Sequence, residues 1–261
     1  MRILFLGDIV GKPGRRAVAR FLPHAREADG IDFTIANCEN AAGGKGVDPG
    51  TVRELLAAGV DVLTSGNHIW AKREIVEYMS NSDVLLRPAN FAPATPGWGF
   101  TVRPSRAGVA VGVVNLIGRV FMGPYDCPFR TADAVLDSLR GRAPVVFVDM
   151  HAEATSEKVA MGWYLDGRVA AVVGSHTHVQ TADGRILPKG TAYLTDAGMC
   201  GPIDSVIGVK REQVLQRFLT QMPHRFEVAS GRVTVQGAIV DVDESDGRAR
   251  AIRCLQQMIE V

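Results

Sequence analysis

The sequence predicts an α/β protein in which two mixed β-sheets pack face to face between outer helices, as a four-layer α/β/β/α sandwich. Strand-like apolar runs alternate with amphipathic helical segments over residues 2–79 and again over 131–174. Segment 88–128, which is rich in proline and glycine, and the C-terminal end of the chain contain mostly strand-like runs. No linker-like stretch divides the chain, so we predict a single domain over residues 1–261.

The individual elements follow from apolar spacing and from helix-start signals. In the helix predicted at 14–28, apolar residues recur with the helical period, and Asp48 is suited to cap a helix at 48–58 that has Pro49 in its first turn. Further helices are predicted at 72–79, 131–140, 155–165 and 211–221. Strands are predicted at 2–6, 31–37, 61–65, 99–104, 109–116, 145–150, 169–174, 190–197, 233–242 and 249–259.

The bulk composition argues against several classes of partner. The 261 residues are 46% hydrophobic with a formal net charge of +1, so we expect neither a stable nucleic-acid complex nor membrane binding. No apolar run approaches the roughly 18–20 residues of a membrane span, and Asp8 interrupts the first one too early for a signal peptide. The four cysteines form no C-x-x-C motif, which indicates free thiols and a cytoplasmic protein. The apolar segment 119–129 leaves a homo-oligomer open.

The N-terminal motif GDIVGKPG places Asp8 at the end of the first predicted strand. It is not a P-loop, because only three residues separate Gly7 from Gly11 and because Pro13, not Ser or Thr, follows Lys12. The motif also lacks G-x-G-x-x-G, so a dinucleotide site is not predicted. What remains is a carboxylate at the carboxyl end of a strand, which is where open α/β sheets bind ligands.

Five predicted strands end in residues that could bind a metal ion. A strand-end aspartate is ordinarily a turn former or a helix cap, and the G-N-H triplet could be a tight turn. The H-T-H triplet is a stronger signal, because alternate residues of an extended segment share one face. Convergence of five strand ends on one sheet edge favours a common site with the candidate residues Asp8, Glu39, Asn40, Asn67, His68, His151, His176 and His178.

The residue types narrow the choice of metal. No cysteine has ligand-like spacing, which disfavours a structural zinc site. Carboxylate, amide and imidazole ligands together suit Fe, Mn, Zn or Co, and we prefer Fe or Mn over Zn. Seven or more candidate ligands exceed what one ion can use. We therefore predict two ions, about 3.5–4 Å apart, that share a carboxylate and activate a bridging water for attack on phosphorus.

These motifs resemble those of the metallophosphoesterases, with G-D near the start, G-N-H in the middle and a late G-x-H-x-H. The chain is more similar to one branch, the YmdB-like phosphodiesterases, in stretches such as GDIVGKPGRRAV, ENAAGGKG, NLIGRVFM and TDAGMCGP that extend over nearly its whole length. The resemblance implies an α/β/β/α sandwich, a di-metal centre and hydrolysis of phosphodiesters, with 2′,3′-cyclic nucleotides as the substrate class.

Matched position by position, the resemblance implies two groups of metal ligands that share Glu39. One ion would be held by Asp8, Glu39, Asn40 and His178, and the other by Glu39, Asn67, His151 and His176. His68 would stand beside the ions without binding them and act as a general acid toward the leaving group. Two positions depart from the wider superfamily. Val10 stands where a histidine is usual, and Glu39 stands where the bridging carboxylate is usually aspartate.

Other functions remain open at this stage. The chain could be a phosphomonoesterase, or a regulatory protein that binds a nucleotide with little turnover. An amidohydrolase-like metal hydrolase is disfavoured, because that class usually carries its His-x-His motif at the first strand. Close to His151 in the sequence, Glu153 and Thr155 are candidates to orient its ring.

Overall fold

The computed structural model describes residues 1–260 and contains two mixed sheets. The first sheet has the spatial order β2 (Asp8–Ile9), β11 (Met199–Pro202), β12 (Val233–Val242), β1 (Arg2–Leu6), β3 (Phe33–Asn37) and β4 (Val62–Thr64), with β13 (Ala249–Ile259) also paired to β12. The second has the order β5 (Phe100–Pro104), β6 (Ala110–Ile117), β7 (Val145–His151), β8 (Ala171–Ser175), β10 (Ala192–Leu194) and β9 (Arg185–Ile186). The helices are α1 (Gly11–Ala28), α2 (Pro49–Ala57), α3 (Ile75–Ser80), α4 (Pro128–Leu139), α5 (Thr155–Leu165) and α6 (Arg211–Thr220).

The structure confirms the predicted four-layer sandwich, in which the two sheets form the middle layers. In β1, Ile3 and Phe5 belong to a core that both sheets share, whereas Leu4 and Leu6 pack toward α1. The ring centroids of Phe5 and Phe147, one from each sheet, lie 5.3 Å apart. Helices α1 to α3 cover the outer face of the first sheet, and α4 and α5 cover that of the second. Strands buried on both faces explain the continuous apolar runs in the sequence.

Parallel pairing determines where the strands deliver their carboxyl ends. Strands β1, β3 and β4 are parallel neighbours in the first sheet, and β6, β7, β8 and β10 are parallel neighbours in the second. Within each sheet, the loops that follow these strands therefore lie at one edge. The prediction that all five strand ends share one sheet edge was wrong, because they belong to two sheets. The contact between Glu39 and His151 shows that the two edges meet at one end of the sandwich. Asp48 caps α2 as predicted, because its side chain accepts a hydrogen bond from the backbone N–H of Thr51 at 2.8 Å.

Three short strands were not predicted from the sequence. β2, β9 and β11 contain only two to four residues each, too few for apolar periodicity to show. β2 and β11 pair in parallel with Asp8 opposite Met199, so Asp8 opens a second short strand instead of ending the first.

Among residues 1–260, no helix has the length and apolar character to cross a bilayer.

Candidate metal centre

The structure brings all eight candidate residues together at one end of the sandwich. They come from five strands or the loops that follow them: Asp8 in β2, Glu39 and Asn40 after β3, Asn67 and His68 after β4, His151 at the end of β7, and His176 and His178 after β8. Glu39 lies in the middle, and the other candidates contact one another in two groups on either side of it.

The first group consists of Asp8, Asn40 and His178. His178 Nε2 lies 3.7 Å from Asp8 Oδ1 and 3.1 Å from the amide nitrogen of Asn40. Asp8 Oδ2 accepts a hydrogen bond from the backbone N–H of His176 at 2.9 Å. Asp8 Oδ1 is buried and has no hydrogen-bond partner within residues 1–260. An unpaired buried carboxylate oxygen is costly, and a bound cation would compensate it.

The second group consists of Glu39, Asn67, His151 and His176. His151 Nε2 lies 3.0 Å from His176 Nδ1, 3.2 Å from Asn67 Oδ1 and 3.4 Å from Glu39 Oε1. Ligand atoms of Glu39, His151 and His176 all lie within 4.8 Å of one another, close enough to hold a metal ion. Gly66 keeps this space open, because a Cβ there would lie 2.1 Å from His151 Nε2 and 2.5 Å from Glu39 Oε2.

Hydrogen bonds to the outer ring nitrogens orient the three histidines. His178 Nδ1 lies 2.8 Å from the carbonyl oxygen of Ile207, which can only accept, so Nδ1 is the donor and Nε2 faces inward. His176 Nε2 lies 3.1 Å from a carboxylate oxygen of Glu153, which leaves Nδ1 facing His151. Such outer partners fix the ring orientation and tautomer of metal-binding histidines.

His151 is oriented by residues that the sequence analysis did not select. Its Nδ1 lies 2.9 Å from Ser175 Oγ, and Ser175 in turn donates to Asp149 Oδ1 at 2.6 Å. Thr64 also donates to Asp149, whose pKa is raised to about 6 by burial. The expectation that Glu153 orients His151 was wrong, because Glu153 contacts His176 instead. Ser175 directly precedes His176, and Asp149 lies two residues before His151 on β7, so proximity in the sequence to predicted ligands was the available signal.

The buried charges of the centre favour an additional cation. Burial opposes ionisation of Glu39, but the neighbouring His151 holds the pKa of Glu39 well below its usual range. Despite the same burial, the Glu39 carboxylate raises the pKa of His151 to about 9. Burial and the charge on His151 lower the pKa of His176 to about 4. The site thus keeps its carboxylate charged and binds a proton at His151, a position where a metal ion could supply the positive charge instead.

His68 stands at the rim of the centre. Its Nδ1 lies 2.8 Å from Asn40 Oδ1 and 3.2 Å from Glu39 Oε1, and its backbone N–H donates to Glu39 Oε2 at 2.9 Å. The side chain is 30% exposed and lines a cavity of about 690 Å³ above the centre. This volume is in the range of small-molecule sites. The centre thus opens into a space large enough for a nucleotide.

A loop with three glycines forms another edge of this cavity. The loop is a hydrogen-bonded turn, in which Ala42 N–H donates to Gly46 O at 2.9 Å and Gly44 N–H donates to Asn40 O at 3.1 Å. Gly43, Gly44 and Gly46 all have positive φ, a conformation that strongly favours glycine. The turn therefore lets the chain pass close to Asn40.

The family model for YmdB-like proteins matches residues 4–255. This chain belongs to the YmdB-like family. A 2′,3′-cyclic-nucleotide 2′-phosphodiesterase of Bacillus subtilis (strain 168) is 50% identical to it over 249 residues, which cover 95% of this chain and 94% of that protein. The crystal structure of a hypothetical protein from Thermus thermophilus has a TM-score of 0.93 with 44% identity and covers 99% of both chains. That of a novel phosphatase from Mycoplasma pneumoniae has a TM-score of 0.92 with 34% identity and covers 99% of this chain and 93% of the other.

The geometry also explains why this YmdB-like protein has a valine at position 10. Val10 is buried, and a Cβ at Gly208 would lie 2.7 Å from its Cγ1. The valine therefore packs against the turn that carries the Ile207 carbonyl to His178. Asn40 reaches the same group of residues from the loop after β3, 3.1 Å from His178.

Proposed function

We propose that this YmdB-like protein is a di-metal phosphodiesterase that hydrolyses 2′,3′-cyclic nucleotides. One observation carries the proposal: two groups of buried or half-buried side chains with oxygen and nitrogen ligand atoms meet at Glu39, at the floor of a nucleotide-sized cavity. The name of the Bacillus subtilis relative supports the substrate class. Metal ions held at such a floor would stabilise the charge that develops on the phosphoryl oxygens during hydrolysis.

We infer that these residues would hold two ions. Asp8, Glu39, Asn40 and His178 would hold one, and Glu39, Asn67, His151 and His176 would hold the other. The unpaired Asp8 Oδ1 and the inward-facing histidine nitrogens support this assignment. The mixture of oxygen and nitrogen ligands suits Fe or Mn, with Zn as a third choice. When bound, such ions would neutralise phosphoryl oxygens and lower the pKa of water.

The chain's own side chains would then orient the substrate and handle protons. His68 faces the cavity beside Glu39, where a leaving oxygen of a phosphate held above the centre would lie within its reach. Its Nδ1 donates to Asn40, which holds the ring and leaves Nε2 to exchange a proton. The Ser175–Asp149 and Ile207 contacts keep the rings of His151 and His178 in place.

Metal analysis and substrate comparison test the proposal together. We expect two ions per chain in protein loaded with Mn²⁺, and a higher kcat/KM on 2′,3′-cyclic AMP than on the monoester adenosine 3′-monophosphate. Glu39→Gln should lose both ions, because Glu39 would serve both. The control Glu227→Gln removes a carboxylate that lines the same cavity but pairs with Lys210 and not with a proposed ligand, so it should retain both ions.

Three results would contradict the proposal. A folded Glu39→Gln variant that keeps two tightly bound ions would refute the shared ligand. A preference for the monoester would make the protein a phosphomonoesterase. Nucleotide binding without turnover by metal-loaded protein would indicate a regulatory binding protein.

A further inference from the structure

One wall of the cavity that His68 also lines is apolar, and the metal centre does not account for it. It is built by segment 206–228, which contains α6 and the turns on either side of it. The apolar lining residues of this segment are Val206, Ile207, Val209, Val214, Phe218, Phe226 and Val228. We call this surface the apolar wall.

Helix α6 presents one face to the cavity. Val214, Arg217 and Phe218 are spaced by three and four residues, so they share a face, and all three line the cavity. The Phe218 side chain is nevertheless 76% exposed. A large aromatic ring that lines a cavity and remains open to solvent is a candidate contact for a ligand.

The apolar wall is attached directly to the metal centre. The Ile207 carbonyl accepts the hydrogen bond from His178 at 2.8 Å, and Ile207 adopts a positive φ of 47° that is unusual for a β-branched residue. At the other end of the wall, Val228 packs against the glycine loop, since a Cβ at Gly44 would lie 2.7 Å from Val228 Cγ2. A ligand whose phosphate lies on the centre would therefore extend along this wall.

We propose that the apolar wall is the nucleobase subsite and that the ring of Phe218 stacks on the base. This inference rests on the proposed function and adds the part of the substrate that the metal centre does not contact. A nucleobase has flat apolar faces, and stacking one of them on an exposed aromatic ring removes apolar surface of both from water, which favours binding. The polar edge of the base can meanwhile remain in water. Arg217 and Phe226 extend the surface, with Arg217 Cζ 5.7 Å from the centroid of the Phe226 ring.

The test compares a substrate that has a base with one that lacks it. Phe218→Ala should lower kcat/KM on 2′,3′-cyclic AMP about tenfold, mainly through KM, because stacking on an aromatic ring is typically worth a factor of this order. Activity on methyl riboside 2′,3′-cyclic phosphate, which undergoes the same ring opening without a base, should be unchanged. The Kd of adenosine 3′-monophosphate should rise by a similar factor, while that of inorganic phosphate should not change.

Leu219→Ala is the matched control. Leu219 neighbours Phe218 on the same helix and is 80% exposed, so its removal takes apolar surface from α6 outside the cavity face. It should leave all four measurements unchanged. Equal losses for Phe218→Ala and Leu219→Ala would indicate that α6 contacts another protein or a second copy of this chain, and would overturn the proposal.

The remaining outcomes separate this inference from the proposed function. If wild-type protein cleaves both cyclic phosphates and Phe218→Ala changes neither or both equally, the base subsite is refuted while the phosphodiesterase stands. If the wild-type protein cleaves neither phosphodiester, the proposed function itself fails and the subsite fails with it.

Discussion

The side chain of His68 contacts Glu39 and Asn40 and yet stays partly open to the cavity. We expect His68→Ala to retain both metals and its fold and to lower kcat by about 10²–10⁴, the usual contribution of a general acid. The loss should be smaller for a substrate with a p-nitrophenolate leaving group, because that group needs little protonation. Kinetics on a series of leaving groups, with metal content as the control, measure the effect.

A different result would assign His68 another role. An equal loss for good and poor leaving groups, or loss of metal from the variant, would mean that the side chain only holds the loop after β4. Its contacts with Glu39 and Asn40 would then be structural, and it would leave the group of catalytic residues.

Gly66 offers a purely steric test of the centre. In Gly66→Ala, the added methyl group would lie 2.1 Å from His151 Nε2 and 2.5 Å from Glu39 Oε2, so these side chains must move. We expect the variant to fold and to lose at least part of its bound metal. Gly184→Ala is the control, since the nearest atom to its new Cβ would be 3.8 Å away. Elemental analysis measures the metal content of both variants. Full metal content in Gly66→Ala would contradict the assignment of these ligands.

At the scale of elements, a buried ion pair joins α5 to Asp196 after β10, and Asp196 in turn holds the loop after β8 that carries the proposed ligands His176 and His178. Lys158 Nζ lies 2.6 Å from Asp196 Oδ2, and both side chains are 1% exposed. The same carboxylate oxygen accepts hydrogen bonds from the backbone and hydroxyl of Thr177, the residue between His176 and His178. Because His176 and His178 both have positive φ, the loop needs such support.

Removal of one partner from this ion pair should therefore strongly destabilise the fold. We expect Lys158→Met to lower the free energy of unfolding by roughly 3–5 kcal/mol, since it leaves the Asp196 charge buried and uncompensated. Lys158→Met combined with Asp196→Asn should recover part of the loss. Lys210→Met, which breaks the exposed pair with Glu227, should cost at most about 1 kcal/mol. Urea unfolding measures all three, and equal costs for the buried and exposed pairs would contradict this account.

For the whole molecule, we expect bound metal to stabilise the native fold. Ligands that bind only the folded state add about 4 kcal/mol at a thousand times their Kd, which corresponds to roughly 10 °C in Tm for a chain of this size. Thermal unfolding with and without a chelator should show this shift. Glu39→Ala should be insensitive to the chelator, and an equal shift in that variant would indicate that metal acts elsewhere.

The same experiment tests the single-domain prediction. The two sheets share a core that contains residues of both, so we expect one cooperative transition. Two separate transitions would show that the chain contains two units.

The oligomeric state also stays a prediction. Segment 119–129 carries Phe121, which is largely exposed, and sedimentation of wild-type protein and Phe121→Ala would show whether copies associate there.

Much of the fold and of the candidate centre could be predicted from the sequence. The long strands and helices were found because apolar periodicity is a local property, and β12 and β13 begin and end at the predicted residues. The eight candidate residues could be grouped because parallel βα units deliver their carboxyl ends to the same edge. The order of the elements was therefore enough to place Glu39 near Asn67 in the first sheet and His151 near His176 in the second, whereas the packing of the two sheets brought these edges together.

Only the tertiary structure decided how those residues are supported and what faces them. It paired Glu153 with His176 and Ser175 with His151, packed Val10 against Gly208, and brought segment 206–228 to the cavity that His68 lines. Each of these contacts joins segments that are not neighbours along the chain or depends on how a side chain turns. Residue periodicity determines which face of a strand or helix is buried, whereas contacts of this kind depend on how the sheets, helices and loops pack in three dimensions.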